Sequence, residues 1–397
     1  MRNVPKLRFK EFTDELREVK FKDFLNERKN IATDNEELYS LTIEKGVTPK
    51  EERYEREFLV NNEKEAYKIV LKNDFVYNPM NIRFGAVAQF IENKNVKVSK
   101  YYNIFYCNNC INSYFFEKFI KTKRMFDLYN KLATGSLNEK KRLHFTDFLE
   151  IKQPFPSLEE QEKIGDFLLN IDKKISITEE KLNLFKEYKK GIMQKIFNQE
   201  LRFKDEKGND YPEWEEKRLG ELLEEYNEKT TTNNQYPILS STAGGIYLQS
   251  EYFNKQTASE NNIGYKIIPK GYFTYRSMSD TGNFTFNIQE RINFGIVSPA
   301  YPVFSTKLEK CNKKFLFFYL NNSDFIKEQI LVLKEGGTRY ALSYSKFIKL
   351  FSKLPCLEEQ QKIADFLSTI DTKIEKISDE LENLKEFKKG LLQQMFV

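Results

Sequence analysis

PSLEEQEKIGDFLLNIDKKISITEEKLNLFKEYKKGIMQKIF (156–197) and PCLEEQQKIADFLSTIDTKIEKISDELENLKEFKKGLLQQMF (355–396) are two copies of one sequence. The offset is a constant 199 residues, and 157–197 matches 356–396 at 21 of 41 positions without a gap. Such self-similarity marks a duplicated structural unit. Apolar residues in the first copy fall at Ile164, Leu168, Ile171, Ile175, Leu182, Phe185, Tyr188, Ile192 and Ile196. In the second they fall at Ile363, Leu367, Ile370, Ile374, Ile377, Leu381, Leu384, Phe387, Leu391 and Met395. Steps of three and four alternate, which draws one stripe along a helix. Pro156 and Pro355 stand where each helix should begin, and neither copy has an internal proline. About 40 residues at about 1.5 Å each make a helix of roughly 60 Å.

A stripe that long needs a partner, and the other copy supplies one. The expected packing positions are Ile164, Leu168, Ile171, Ile175 and Leu182 with Ile363, Leu367, Ile370, Ile374 and Leu381. An antiparallel pair would place the globular parts at opposite ends of a rod. Gly191 and Gly390 occupy equivalent positions. They fit either a close approach by another helix or a tolerated glycine costing about 1 kcal/mol.

Working outward, the repeat weakens but persists. LHFTDFL (143–149) aligns with LSYSKFI (342–348), and Ser99, Tyr102 and Phe105 with Ser298, Tyr301 and Phe304. LTIEKGV (41–47) resembles LSSTAGGI (239–246). The stretch after the first helix, QELRFKDEKG (199–208) and then Trp214 to Leu222, finds its counterpart at the N-terminus: PKLRFKEF (5–12), then Leu16 to Phe24. The repeat is therefore circular, and residues 1–24 should pack beside the end of the second helix. Between these anchors the halves diverge. Runs such as KIVLKNDFVYNP (68–79), NIFYCN (103–108), NIGYKIIPKGYFTYR (262–276) and YPVF (301–304) read as strands broken by Asn, Gly and Pro turns. Residues 114–132 and 314–330 read as helices with aromatic cores. The expected fold class is α+β: two α/β domains (1–155 and 199–354) separated by two long antiparallel coiled-coil helices (156–198 and 355–397), related by a pseudo-two-fold.

Composition narrows the function. The 397 residues carry 64 Lys plus Arg against 59 Asp plus Glu, a net charge of +5 that hides local patches. MRNVPKLRFKEF has no apolar run after it and no stretch of 18 apolar residues occurs, so neither a signal peptide nor a membrane span is expected. Four cysteines do not make a disulfide scaffold, which points to a reduced, cytoplasmic setting. The one histidine, His144, is replaced by Ser343 in the other half, which argues against a His base. No phosphate loop of the GxxxxGK[ST] type is present. Asn78-Pro79-Met80-Asn81 lacks the second proline and the aromatic of an amino-methyltransferase motif. Cys107 and Cys110 form a single CxxC, half of what a structural zinc needs. No catalytic residue and no metal ligand is expected.

A polar loop precedes each scaffold segment: ATGSLNEKKRL (133–143) and KEGGTRYAL (334–342). Small residues beside Lys and Arg let amides and cations approach phosphates or base edges. The candidates for DNA contact there are Ser136, Lys140, Lys141 and Arg142, and Thr338, Arg339 and Tyr340. Elsewhere they are Thr42, Lys45, Asn78, Arg83 and Gln89 in the first half, and Ser240, Thr242, Arg276, Ser277 and Asp280 in the second. Arg and Asn suit guanine and adenine edges in the major groove. Each also fits an ordinary surface loop.

Pro156-Ser-Leu-Glu-Glu-Gln161 and Pro355-Cys-Leu-Glu-Glu-Gln360, each opening a long helix between unlike domains, resemble the specificity subunit of type I restriction–modification systems. The Leu219-Gly-Glu-Leu222 opening behind Trp214 adds to the resemblance. The first copy departs from it, with Leu16 for the Trp and Lys22 for the Gly. The resemblance covers essentially the whole chain. It implies that each domain is a target-recognition domain reading half of a bipartite, asymmetric DNA site. The helices would set the spacing and dock two modification subunits. S-adenosylmethionine would sit on those subunits, ATP and Mg on restriction subunits, and no cofactor on this chain. A bacterial cytoplasmic location goes with it. A different class also fits the helices, a structural coiled-coil adaptor with two protein-binding heads; it predicts no DNA contact. A self-contained methyltransferase or nuclease would need a cofactor loop that the sequence lacks.

Overall fold

Both Pro-x-Leu-Glu-Glu-Gln runs fold alike, and their polar residues explain the motif. The computed structural model describes residues 5–33, 35–50, 67–136, 141–252, 261–333 and 340–396. The long helices span Leu158–Phe197 and Leu357–Met395. Gln161 donates back to the Pro156 carbonyl (2.9 Å) and accepts from the Asn112 backbone N–H (3.0 Å). Gln360 repeats both bonds with Pro355 (2.9 Å) and Asn312 (2.8 Å). The preceding glutamates, Glu160 and Glu359, are buried. Arg8 forks onto Glu160 with two 2.7 Å bonds, and Arg202 onto Glu359 at 3.3 and 2.8 Å. A buried carboxylate persists only when paired and hydrogen-bonded, and a planar guanidinium matches it. Leu7-Arg8-Phe9 and Leu201-Arg202-Phe203 therefore hold the same place in the two halves, as the circular repeat requires.

The residues group into two units, Met1–Glu180 with Asp379–Val397, and Lys181–Ser378. In the first, one sheet runs Leu25–Arg28, Asn103–Cys107, Phe75–Tyr77, Val87–Gln89, all antiparallel. A second sheet contains the hairpin Glu37–Thr42 with Gly46–Pro49, the strands Tyr67–Val70 and Val96–Ser99, and a parallel pairing of Glu37 with Val96. The second unit repeats this order. Leu223–Glu225, Val303–Thr306, Phe273–Thr274 and Asn287–Ile288 form its sheet. Leu239–Thr242 and Gly245–Leu248 form its hairpin, and Lys266–Pro269 pairs with Phe294–Val297. A stacked ring pair marks the same spot in each, Phe75 on Phe105 (5.0 Å) and Phe273 on Phe304 (5.2 Å).

The aromatic helical stretches each break once, into Ser113–Ile120 and Lys123–Leu132, and into Lys313–Asn322 and Asp324–Leu333. Asn112 and Asn312 cap the first helix of each pair, and Thr122 caps Lys123–Leu132. A cap side chain satisfies an N–H that the first turn leaves unpaired.

The apolar stripes do not pack only helix against helix. Ile164, Leu168 and Ile171 enter the aromatic core of the first unit with Phe115, Phe116 and Phe155; Leu391 and Met395 join them. Ile363, Leu367 and Ile370 enter the second core, beside Met193, Ile196 and Phe197. Ile175 and Ile374 pack at the core edges, and Leu182 and Leu381 are buried farther along. Within the first unit the helix segments are antiparallel, joined by Asp172–Lys388, Lys174–Glu380 (3.6 Å) and Glu179–Lys385 (2.8 Å). Lys189–Asp371 does the same in the second. The Leu7 amide donates to the Gln394 carbonyl (3.0 Å), so the N-terminal segment lies beside the end of the second helix. A Cβ added at Gly191 or Gly390 would meet open space, so within the chain neither glycine serves a close helix approach. No helix among the described residues is long and apolar enough to cross a membrane.

Candidate nucleic-acid interface

The loop-bearing edge of each domain is pinned by the same two bonds. A buried tyrosine at the end of the central strand donates to the segment leading into the scaffold: Tyr77 to the Leu143 carbonyl (2.5 Å), Tyr275 to the Leu342 carbonyl (3.1 Å). Leu143 N–H donates to Pro79 and Leu342 N–H to Ser277 (3.0 and 2.9 Å). Burial pushes both phenol pKa values well up, so each hydroxyl stays a donor. Asn78 and Arg142 are thereby brought to one edge in the first unit, and Arg276 and Ser277 to the matching edge in the second.

In the first unit Thr134 and Arg142 exchange backbone hydrogen bonds (2.9 and 2.8 Å), closing the base of the loop and leaving Ser136 and Arg142 exposed and Lys141 half-exposed. In the second, Met278–Ser279 pairs with Tyr340–Ala341, which sets Tyr340 beside Ser279. Arg276 and Asp280 are both exposed and lie 3.9 Å apart. Lys140, Thr338 and Arg339 lie outside the described residues.

The hairpin tips form a second pair of equivalents. Thr42 Oγ1 accepts from the Lys45 amide (3.0 Å) and donates to the Gly46 carbonyl (3.3 Å). Thr242 Oγ1 accepts from the Gly244 amide and donates to the Gly245 carbonyl, both at 3.1 Å. These hydroxyls build the turns, and Lys45 is the exposed cation of its tip. Gly46 and Gly245 have φ of 72° and 121°, a region that favours glycine. Ser240 is half-buried on the strand leading to its tip.

Two candidates serve the domain interior instead. Arg83 is 6% exposed, donates to Asn130 (3.3 Å) and lies over the Phe84 ring. Gln89 is half-buried and donates to Ser113 (3.0 Å). Asn78 stays at the edge, where its side-chain oxygen accepts from the Met80 amide (3.0 Å) and closes its own turn. The burial of Arg83 and half-burial of Gln89 were hidden in the sequence, because polar residues in a turn-rich stretch read as surface. Asn283 and Lys327 are two polar side chains that the sequence does not single out. They line a cleft of about 590 Å³ with Ala243 and Gly244 of the hairpin tip, and only the fold brings that loop, helix and tip together.

The exposed set can offer cations, amide and hydroxyl groups to a polyanion and to base edges. Among the described residues no group of three or more His, Cys, Asp or Glu is placed to hold a metal.

Comparison with known proteins bears on this arrangement. Residues 15–187 and 211–386 match the family profile described as Type I restriction modification DNA specificity domain. The chain is 25% identical over 304 residues to the type I restriction enzyme MjaVIII specificity subunit of Methanocaldococcus jannaschii, covering 69% of this chain and 67% of that one. It is 26% identical over 353 residues to the putative MjaX specificity subunit of the same organism, covering 84% and 75%. In fold it is similar to the S subunit of a type I system from M. genitalium, with a TM-score of 0.57 at 15% identity over 99% of both chains. A second solved chain, from a study of assembly and conformational transition of the type I system, gives 0.55 at 14% identity over 97% and 98%. With two copies of that domain covering most of its length, the chain belongs to the type I restriction–modification DNA specificity family.

Proposed function

We propose that this chain is the DNA-reading subunit of a type I restriction–modification enzyme. Each domain reads one half of a bipartite, asymmetric target, and the long helices set the spacing and dock two modification subunits. The observation that carries this is a framework kept identical in two domains, down to the Tyr–carbonyl and Gln–carbonyl bonds, under edges whose side chains differ. Reading surfaces can then change without disturbing assembly. The chain itself is non-catalytic in this reading. Methyl transfer from S-adenosylmethionine belongs to the modification subunits, and ATP- and Mg-dependent cleavage to restriction subunits, in a bacterial cytoplasm.

Mapping the methylated bases in DNA modified by the assembled complex tests it. Two short specified blocks separated by a fixed unspecified gap are expected. A single continuous block would overturn the bipartite reading, and unmodified DNA with no footprint would overturn it in favour of a coiled-coil adaptor.

A further inference from the structure

We propose that the first unit holds a grip for the DNA sugar–phosphate backbone, in the groove between the helix Lys123–Leu132 and the end of the second long helix. This rests on the DNA-reading function above. The groove measures about 550 Å³. Lys121, Lys123 and Arg124 line it from the domain, and Lys385, Lys388 and Lys389 from the helix; no carboxylate among the described residues lines it.

Four of these cations are partly neutralised from outside the groove. Lys121 meets Glu117 (2.9 Å), Lys385 meets Glu179 (2.8 Å), Lys389 meets Glu386 (3.3 Å), and Lys388 pairs with Asp172. Lys123 and Arg124 have no ion pair among the described residues. Partial burial lowers the Arg124 pKa, and Glu18, which is itself 3.6 Å from Lys152, pulls the other way. Converging like charges repel, and a polyanion relieves them. Phe126, Leu392 and Phe396 add apolar surface suited to deoxyribose between phosphates, and Thr122 and Gln393 make up the rest of the lining.

The second unit shows that this is not generic surface charge. The helix lysines recur there, KEYKKG (186–191) against KEFKKG (385–390). The domain cations do not: Asn322, Asp324 and Phe325 stand where the first unit has Lys121, Lys123 and Arg124. Solubility would explain the shared set but not the added one. The groove also connects to the reading edge. Lys123–Leu132 is ten residues long, about 15 Å, and its far end runs into the loop that carries Arg142. That length corresponds to roughly four base steps at about 3.4 Å.

The test is the salt dependence of specific binding by the assembled complex, comparing wild type with Lys123→Glu plus Arg124→Glu. Each phosphate contact contributes about 0.9 to the slope of log K against log salt, so the slope should fall by about two. Between about 50 and about 200 mM salt the wild type then loses about tenfold more affinity than the variant, while the methylated bases stay the same. The variant Lys123→Ala plus Arg124→Ala, with an unchanged melting curve, should show the same loss of slope without charge reversal. An unchanged slope in both variants, with normal bipartite binding by wild type, overturns the grip and leaves the reading function standing. An unchanged slope with reduced recovery of modification subunits would overturn it in favour of an acidic protein partner. Absence of bipartite binding by wild type would instead sink the reading function.

Discussion

Arg202 shows what single residues do here. Its guanidinium holds Glu359, which is 0% exposed, and also donates to the carbonyls of Tyr211 and Pro212 (3.2 and 2.6 Å). Arg202→Met strands that carboxylate without its counter-charge, so unfolding free energy should fall by about 3–5 kcal/mol, read from urea midpoints. A loss below about 1 kcal/mol would mean that water or a neighbour replaces the arginine. At the reading edge the expected effect is on binding. Arg276→Ala should cost about 1–3 kcal/mol of discrimination at one base pair of one half-site, leaving the other half-site unchanged in a methylation map. The sequence displayed the Glu-Gln pair of the motif twice but not its purpose. Neither Arg8 nor Asn112 is near it in the chain, and hydrogen bonds across some 50 to 150 residues leave no local pattern.

Among the elements, the long helices were the most legible, because an uninterrupted period of three and four needs no tertiary information. Where their stripes go was less so. Periodicity identifies a face but not what fills it, and Ile164 and Ile363 turned out to sit among phenylalanines of the domains. Strand order was illegible: the pairing of Glu37 with Val96 joins residues about 60 apart through a parallel contact that no turn signals. The second domain needs a bare backbone at Gly295, on the strand Phe294–Val297. A Cβ there would lie 2.3 Å from Leu239 Cδ1 and 2.8 Å from its Cγ. Gly295→Ala should destabilise by about 1–3 kcal/mol, the usual range for overpacking, seen as a lower melting temperature. Leu239 is itself buried, so Leu239→Ala costs stability alone, but in that background Gly295→Ala should cost far less; an equal cost there would mean that the clash is not the cause.

For the whole molecule, the circular repeat was visible in the sequence, and the units show its physical content. The first unit is closed by residues from far along the chain: Leu391 and Met395 are buried in its core, and Phe396 contacts the rings of Phe115 and Phe119. Leu391→Ala should cost about 2–5 kcal/mol. Hydrogen exchange should report the loss in Phe75–Tyr77 and Asn103–Cys107, with the strand Val303–Thr306 unaffected. Equal loss in both places would mean that the two units unfold as one.

That closure also imposes an order on biosynthesis. Translation delivers the first 180 residues about 200 residues before the segment that completes their core. At about 5–20 residues per second this leaves roughly ten to forty seconds in which a phenylalanine-rich cluster waits open. The inserted unit, Lys181–Ser378, is contiguous and can finish first. The domain made first is thus the domain finished last. A chain stalled before Leu391 should fail in its N-terminal half, where chaperones and proteases would find it.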